Sequence, residues 1–170
     1  MRNILAVILI LFAVSSRLLP HPPNFTPIAA LALFGGVYLQ KRFALLIPML
    51  AMLISDSLIG FHALMPWVYG SFLLTGLIGL WLKKHKQPLF ILGAAIMSSL
   101  LFFAVTNLGV WVLPVSGYPR TLAGLVQCYV AAIPFFKTEL LGTLMYTSVL
   151  FLLYETVVRV IAPERRKAEV

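Results

Sequence analysis

The chain has 170 residues, of which 61% are hydrophobic and 11% charged, and its formal net charge is +8. A soluble domain carries about 25% charged residues, so this composition excludes an ordinary globular protein and points to one integral membrane domain spanning 1–170. The basic residues stand in short runs between apolar segments, which is the pattern of loops at a membrane surface and not of a nucleic-acid-binding face.

Taken in chain order, the apolar runs predict an all-α bundle of about six transmembrane helices. The first helix is expected at Asn3–Leu19, the second at Thr26–Leu39 and the third at Phe43–Ile59. The fourth is expected at Pro66–Leu82, the fifth at Leu89–Leu113 and the sixth at Thr138–Ile161. Crossing roughly 30 Å of hydrocarbon takes about 20 helical residues, so the second is short and the fifth is long enough to tilt. Arg2, the apolar stretch after it, and Ala13 with Ser15 also fit a cleavable signal peptide. Retaining the segment gives an even number of spans, and it is taken as the first helix.

Lys and Arg set the orientation. With both termini cytoplasmic, Arg2, Lys41, Arg42, Lys83, Lys84, Lys86, Arg159, Arg165, Arg166 and Lys167 face inward. Arg17, Arg120 and Lys137 remain outside. A bacterial inner-membrane protein with its polar chemistry at the outer face is the expected result. Thr121–Phe136 is apolar, but as a separate crossing it would invert the last helix. It is therefore expected as a re-entrant or interfacial helix packed on the bundle.

The first loop, Arg17-Leu-Leu-Pro-His-Pro-Pro-Asn-Phe-Thr-Pro, carries four prolines and is stiff. It offers Arg17, His21 and Asn24 either as a preorganised site or as a rigid turn with a snorkelling arginine. Asp56 lies about one turn inside the third helix. A carboxylate at that depth is costly unless paired, so an ion pair with Arg17 or Arg120 is slightly favoured over direct ligand contact. Asn107 and Trp111 are four apart on the fifth helix and share a face. They suit one side of a pocket for a small ring-bearing compound, or an interhelical hydrogen bond plus an interfacial anchor. Glu139 is expected near a helix N-terminus, where it caps the dipole. Glu155 and Arg159, spaced i, i+4, read as a structural pair. Ala32 and Gly36 read as a close helix-packing surface.

No paired-His zinc motif, Gly-x-Ser-x-Gly or phosphate loop is present, so an enzyme is not expected. His21 and His62 with Asp56 lack local ligand spacing, and neither metal nor cofactor is expected.

The first-loop motif with Ala-Leu-Phe-Gly-Gly36, Ser55-Asp56, Thr106-Asn107-Leu-Gly-Val-Trp111 and Tyr118-Pro-Arg120 resembles a family of small uncharacterised bacterial membrane proteins described as candidate transport proteins. More distantly, the layout is similar to the S components of energy-coupling-factor vitamin transporters. That resemblance implies a small nutrient bound near the outer face through the first, third and fifth loops. It also implies docking on an energising transporter module, although the Ala-x-x-x-Ala motif usual in helix 1 of such subunits is not reproduced by Ala6 and Ala13. The expected partners are thus a small-molecule substrate and membrane lipids, and no nucleic acid; the alternatives to a transport protein are a membrane scaffold in envelope assembly or, less favoured, a membrane enzyme using Asp56, His21 or Glu139 as acid or base. Arg17, Asn24, Asp56, Asn107, Trp111 and Arg120 are the expected site residues. The excess of Arg17, Arg120 and Lys137 over Asp56 and Glu139 mildly favours an anionic ligand.

Overall fold

A computed structural model describes residues 2–114 and 117–161, and within the helices leaves the side chains of 2–7, 10, 42–44 and 158–161 undescribed. The described residues form six helices: α1 (Arg2–Leu18), α2 (Ile28–Tyr38), α3 (Lys41–Ile59), α4 (Met65–Leu82), α5 (Pro88–Val112) and α6 (Leu122–Ile161). No strand occurs among them. Prolines mark two of the starts: Pro66 in the first turn of α4 and Pro88 at the head of α5, where a missing N–H costs nothing.

Three helices are long and apolar enough to cross a membrane: Met65–Leu82, Pro88–Val112 and Leu122–Val157. Their outer faces bear Leu77, Leu92, Leu100, Val130, Leu141 and Leu152, all exposed. So much contiguous apolar surface fits lipid and not water. The expected count of six crossings is not supported at this level. The 11 residues of α2 reach only about 16 Å, half of the hydrocarbon thickness.

α2 is instead the centre of the bundle. Ten consecutive residues, Ile28–Val37, are buried, so the helix has no polar face to turn outward. It touches α4 backbone to backbone. A Cβ on Gly79 would lie 2.8 Å from the Ala32 carbonyl oxygen, and one on Gly36 would run into the Gly79 backbone. The small residues at 32 and 36 are therefore a close helix contact, as their spacing suggested.

The largest departure from the sequence reading lies at the C-terminal third. Thr121–Phe136 is not a separate re-entrant helix: from Leu122 onward it is the N-terminal part of α6, a continuous 40-residue helix. Its length of about 60 Å is twice the hydrocarbon thickness. α6 runs antiparallel to α5, with Cys128 Sγ 3.5 Å from the Asn107 carbonyl oxygen, the Tyr129 hydroxyl donating to the Ala104 carbonyl at 2.6 Å, and the Phe103 and Phe136 rings 4.9 Å apart. Pro134 and Lys137 look like a boundary in sequence, but neither ends the helix. A proline loses one backbone bond, and packing against neighbouring helices lets a membrane helix carry that loss. Lys137 is exposed and leaves the apolar face undisturbed.

The two ends of the bundle differ in chemistry. At one end Lys41, Lys83, Lys84 and Lys86 are exposed. There Tyr38 lies under the Lys86 ammonium and donates a 2.6 Å hydrogen bond to Glu155. The expected Glu155–Arg159 pair and the terminal basic cluster of Arg165, Arg166 and Lys167 fall outside the described residues, as do the side chains of Arg2 and Arg42. At the other end, the α1–α2, α3–α4 and α5–α6 connections converge.

Candidate functional site

A cavity of about 630 Å³ opens at that second end. This lies within the range of roughly 300–1,000 Å³ typical of small-molecule sites. Its mouth is made by His21 and Asn24 of the first connection, His62 of the second and Tyr118 of the third. Its wall is apolar and aromatic, with Phe72 from α4, Phe102 and Phe103 from α5, and Phe135 and Phe136 from α6.

The proline-rich connection is held in place by its own backbone. The Phe25 N–H donates to the Pro22 carbonyl at 3.0 Å, closing a turn in which Asn24 takes φ 62°. Proline followed by asparagine at the two central positions suits a turn that needs a left-handed residue in second place. Phe25 then packs 5.6 Å from the Tyr146 ring and against Gly142 of α6. The loop is thus pinned to the bundle, and Asn24 stands at the cavity mouth.

On the α1/α3 side, Leu9, Ala13 and Arg17 recur every four residues, so the stripe that buries Leu9 and Ala13 against α3 also delivers Arg17 to it. On α3, Met52, Ser55 and Asp56 share the facing stripe, and all three are buried. Arg17 Nη2 lies 2.8 Å from Asp56 Oδ1, while Nη1 donates to Ser55 Oγ at 2.6 Å and contacts Met52 Sδ at 2.8 Å. The second Asp56 oxygen accepts from the Tyr69 hydroxyl of α4 at 2.9 Å. Asp56 is 1% exposed and Arg17 15%. Both carboxylate oxygens and the guanidinium are therefore satisfied, as buried charge requires.

The α5/α6 side differs. Asn107 lines the cavity, with its side-chain N–H₂ donating to the Phe103 carbonyl at 2.8 Å on its own helix. Glu139 also lines it, 5% exposed. It does not cap a helix, because it lies well inside α6. Thr143 donates to its Oε1 at 2.7 Å, but Oε2 has no hydrogen-bond partner. The Ser99 hydroxyl lies beside the carboxyl, also without a hydrogen bond. Among the described residues Glu139 has no ion pair.

Of the six residues expected from sequence, Arg17, Asn24 and Asn107 line the cavity, and Asp56 stands behind Arg17. Trp111 and Arg120 are not on the lining. Trp111 donates its indole N–H to the Pro119 carbonyl at 2.9 Å, and Arg120 sits over its ring at 5.7 Å. An i, i+4 spacing put Asn107 and Trp111 on one face, but the indole N–H found its acceptor in the α5–α6 connection and turned to it. The surplus of positive charge at this end therefore does not reach the cavity. Arg17 is matched by Asp56, Arg120 lies over Trp111, and Lys137 is off the lining. The charge surplus that favoured an anionic ligand is thus not gathered on the cavity lining. Sequence reading missed Tyr69, a residue that no spacing ties to Asp56. It also misplaced Glu139, whose signal, a lone acidic residue in an apolar run, was legible but was assigned to a helix end.

Residues 1–165 match DUF6580, a family of unknown function, and the chain belongs to that family. No curated protein and no solved structure matches the chain.

Proposed function

We propose that this protein is a substrate-binding membrane protein of a small-molecule transport system. In this reading the bundle crosses the bacterial inner membrane with both termini cytoplasmic, and the cavity opens to the outer side. The observation that carries the reading is the cavity itself. An open cavity of about 630 Å³ with aromatic walls and a few inward polar groups has the size and lining of a small-molecule site. The basic end opposite the cavity supports the orientation, since lysines collect on cytoplasmic loops. Arg17 and Asp56 build the wall, Asn24 and Asn107 offer amides at and below the mouth, and the phenylalanines take an apolar body.

Mass spectrometry of protein purified in mild detergent tests the reading. A stoichiometric small molecule, lost on denaturation and restored by adding it back with a rise in melting temperature, is expected. Co-purification of a protein complex with an empty cavity would instead mark a scaffold.

A further inference from the structure

Glu139 is the feature that the cavity's architecture leaves unexplained. It is about nineteen-twentieths buried, sits on the lining, and presents an oxygen without any hydrogen bond. An isolated carboxylate in an apolar wall is among the costliest groups a membrane protein can hold, and such residues are normally paired. Asp56, on the opposite wall, shows what a paired one looks like. The serine beside Glu139 can supply a hydrogen bond but no charge.

We propose that the ligand is a monovalent organic cation, a protonated amine or quaternary ammonium on an apolar or aromatic body, whose charge is met by Glu139. This rests on the cavity being a ligand site. Two further features point the same way. Phe72 and Phe102 stack at 5.2 Å, and Phe103 and Phe136 lie 4.9 Å apart, so aromatic rings share the cavity lining with Glu139. Ring faces attract a desolvated cation, above all a quaternary ammonium. The other charged residue on the lining, Arg17, is already neutralised by Asp56. An anion entering this cavity would find Arg17, the one arginine or lysine on its lining, already paired.

The test uses the full-length protein in mild detergent and a series matched in shape: 2-phenylethylammonium and benzyltrimethylammonium as cations, 2-phenylethanol as neutral and phenylacetate as anion. Calorimetry and thermal unfolding read binding. The cations are expected to bind and to raise the melting temperature, the neutral compound to bind more weakly, and the anion not to bind. In Glu139→Gln the cations should weaken by roughly 30-fold or more, the least that losing half of a buried charge pair costs, while the neutral compound keeps its affinity. The wild-type comparison needs no variant, so it decides the matter even where the substitution impairs folding. Tighter binding of phenylacetate, or cation binding unchanged in Glu139→Gln, overturns the cation assignment and leaves the cavity reading standing. Failure of the whole series to bind overturns both.

Discussion

One buried carboxylate, Glu139, lies on the cavity lining and another, Asp56, stands behind Arg17 across from it, and the protein treats them in opposite ways. Asp56 is closed: a guanidinium on one oxygen, a tyrosine hydroxyl on the other, and a serine completing the arginine's shell. Glu139 is half open, with a threonine on one oxygen and nothing on the other. The first arrangement ties α1, α3 and α4 together. The second holds a group in reserve on a helix that packs against α5 along its cavity side. Both carboxylates are buried; what differs is how many of their oxygens have a partner.

The same chemical change made at both sites should break this symmetry most sharply. Asp56→Asn leaves Arg17 without its counter-charge, and loss of one partner of a buried pair costs about 3–5 kcal/mol. It should lower the detergent melting temperature steeply or abolish recovery of folded protein. If it unfolds like the wild type, the α1/α3 wall is not held by this pair. Tyr69→Phe removes one hydrogen bond to a charged acceptor, and should cost about 1.5–3 kcal/mol in the same measurement. Glu139→Gln keeps an acceptor for Thr143, so its unfolding should stay within about 1 kcal/mol of the wild type. A loss as large as that of Asp56→Asn would show Glu139 to be structural as well. Arg120→Ala removes an exposed cation from the face of Trp111, and should cost under about 1 kcal/mol, with ligand affinity unchanged. A change in affinity there would put the third connection back among the binding residues.

Much of this layout was legible in the chain because apolar length and proline placement are local. Five of the six expected helices lie within a few residues of where their runs put them, and Arg17 with Asp56 could be suspected of pairing, since isolated charge inside apolar sequence demands a partner. Three things were not local. Helix α6 continues through Pro134 because α5 packs along it, a fact of tertiary contact that the proline alone contradicts. The direction of the Trp111 indole was set by an acceptor eight residues away, in a turn whose shape no periodicity encodes. Tyr69 reaches Asp56 only because α4 lies beside α3 in the bundle. Glu139 failed for a related reason: its role depended on where α6 begins, and an error of half a helix moved it from a wall to an end.

The single cysteine gives the most direct test of the central claim that a water-accessible ligand cavity reaches the middle of this bundle. Cys128 is 2% exposed yet lies on the cavity lining, and no other thiol is present in the chain. In the proposed inner-membrane orientation, a membrane-impermeant methanethiosulfonate carrying a trimethylammonium group, added from the outer side to intact spheroplasts, should modify Cys128. Ala131→Trp, which fills the lining beside it, should slow that modification while leaving the protein folded. If Cys128 stays unmodified until the membrane is dissolved, or reacts equally fast in Ala131→Trp, no open cavity reaches it and the account is wrong.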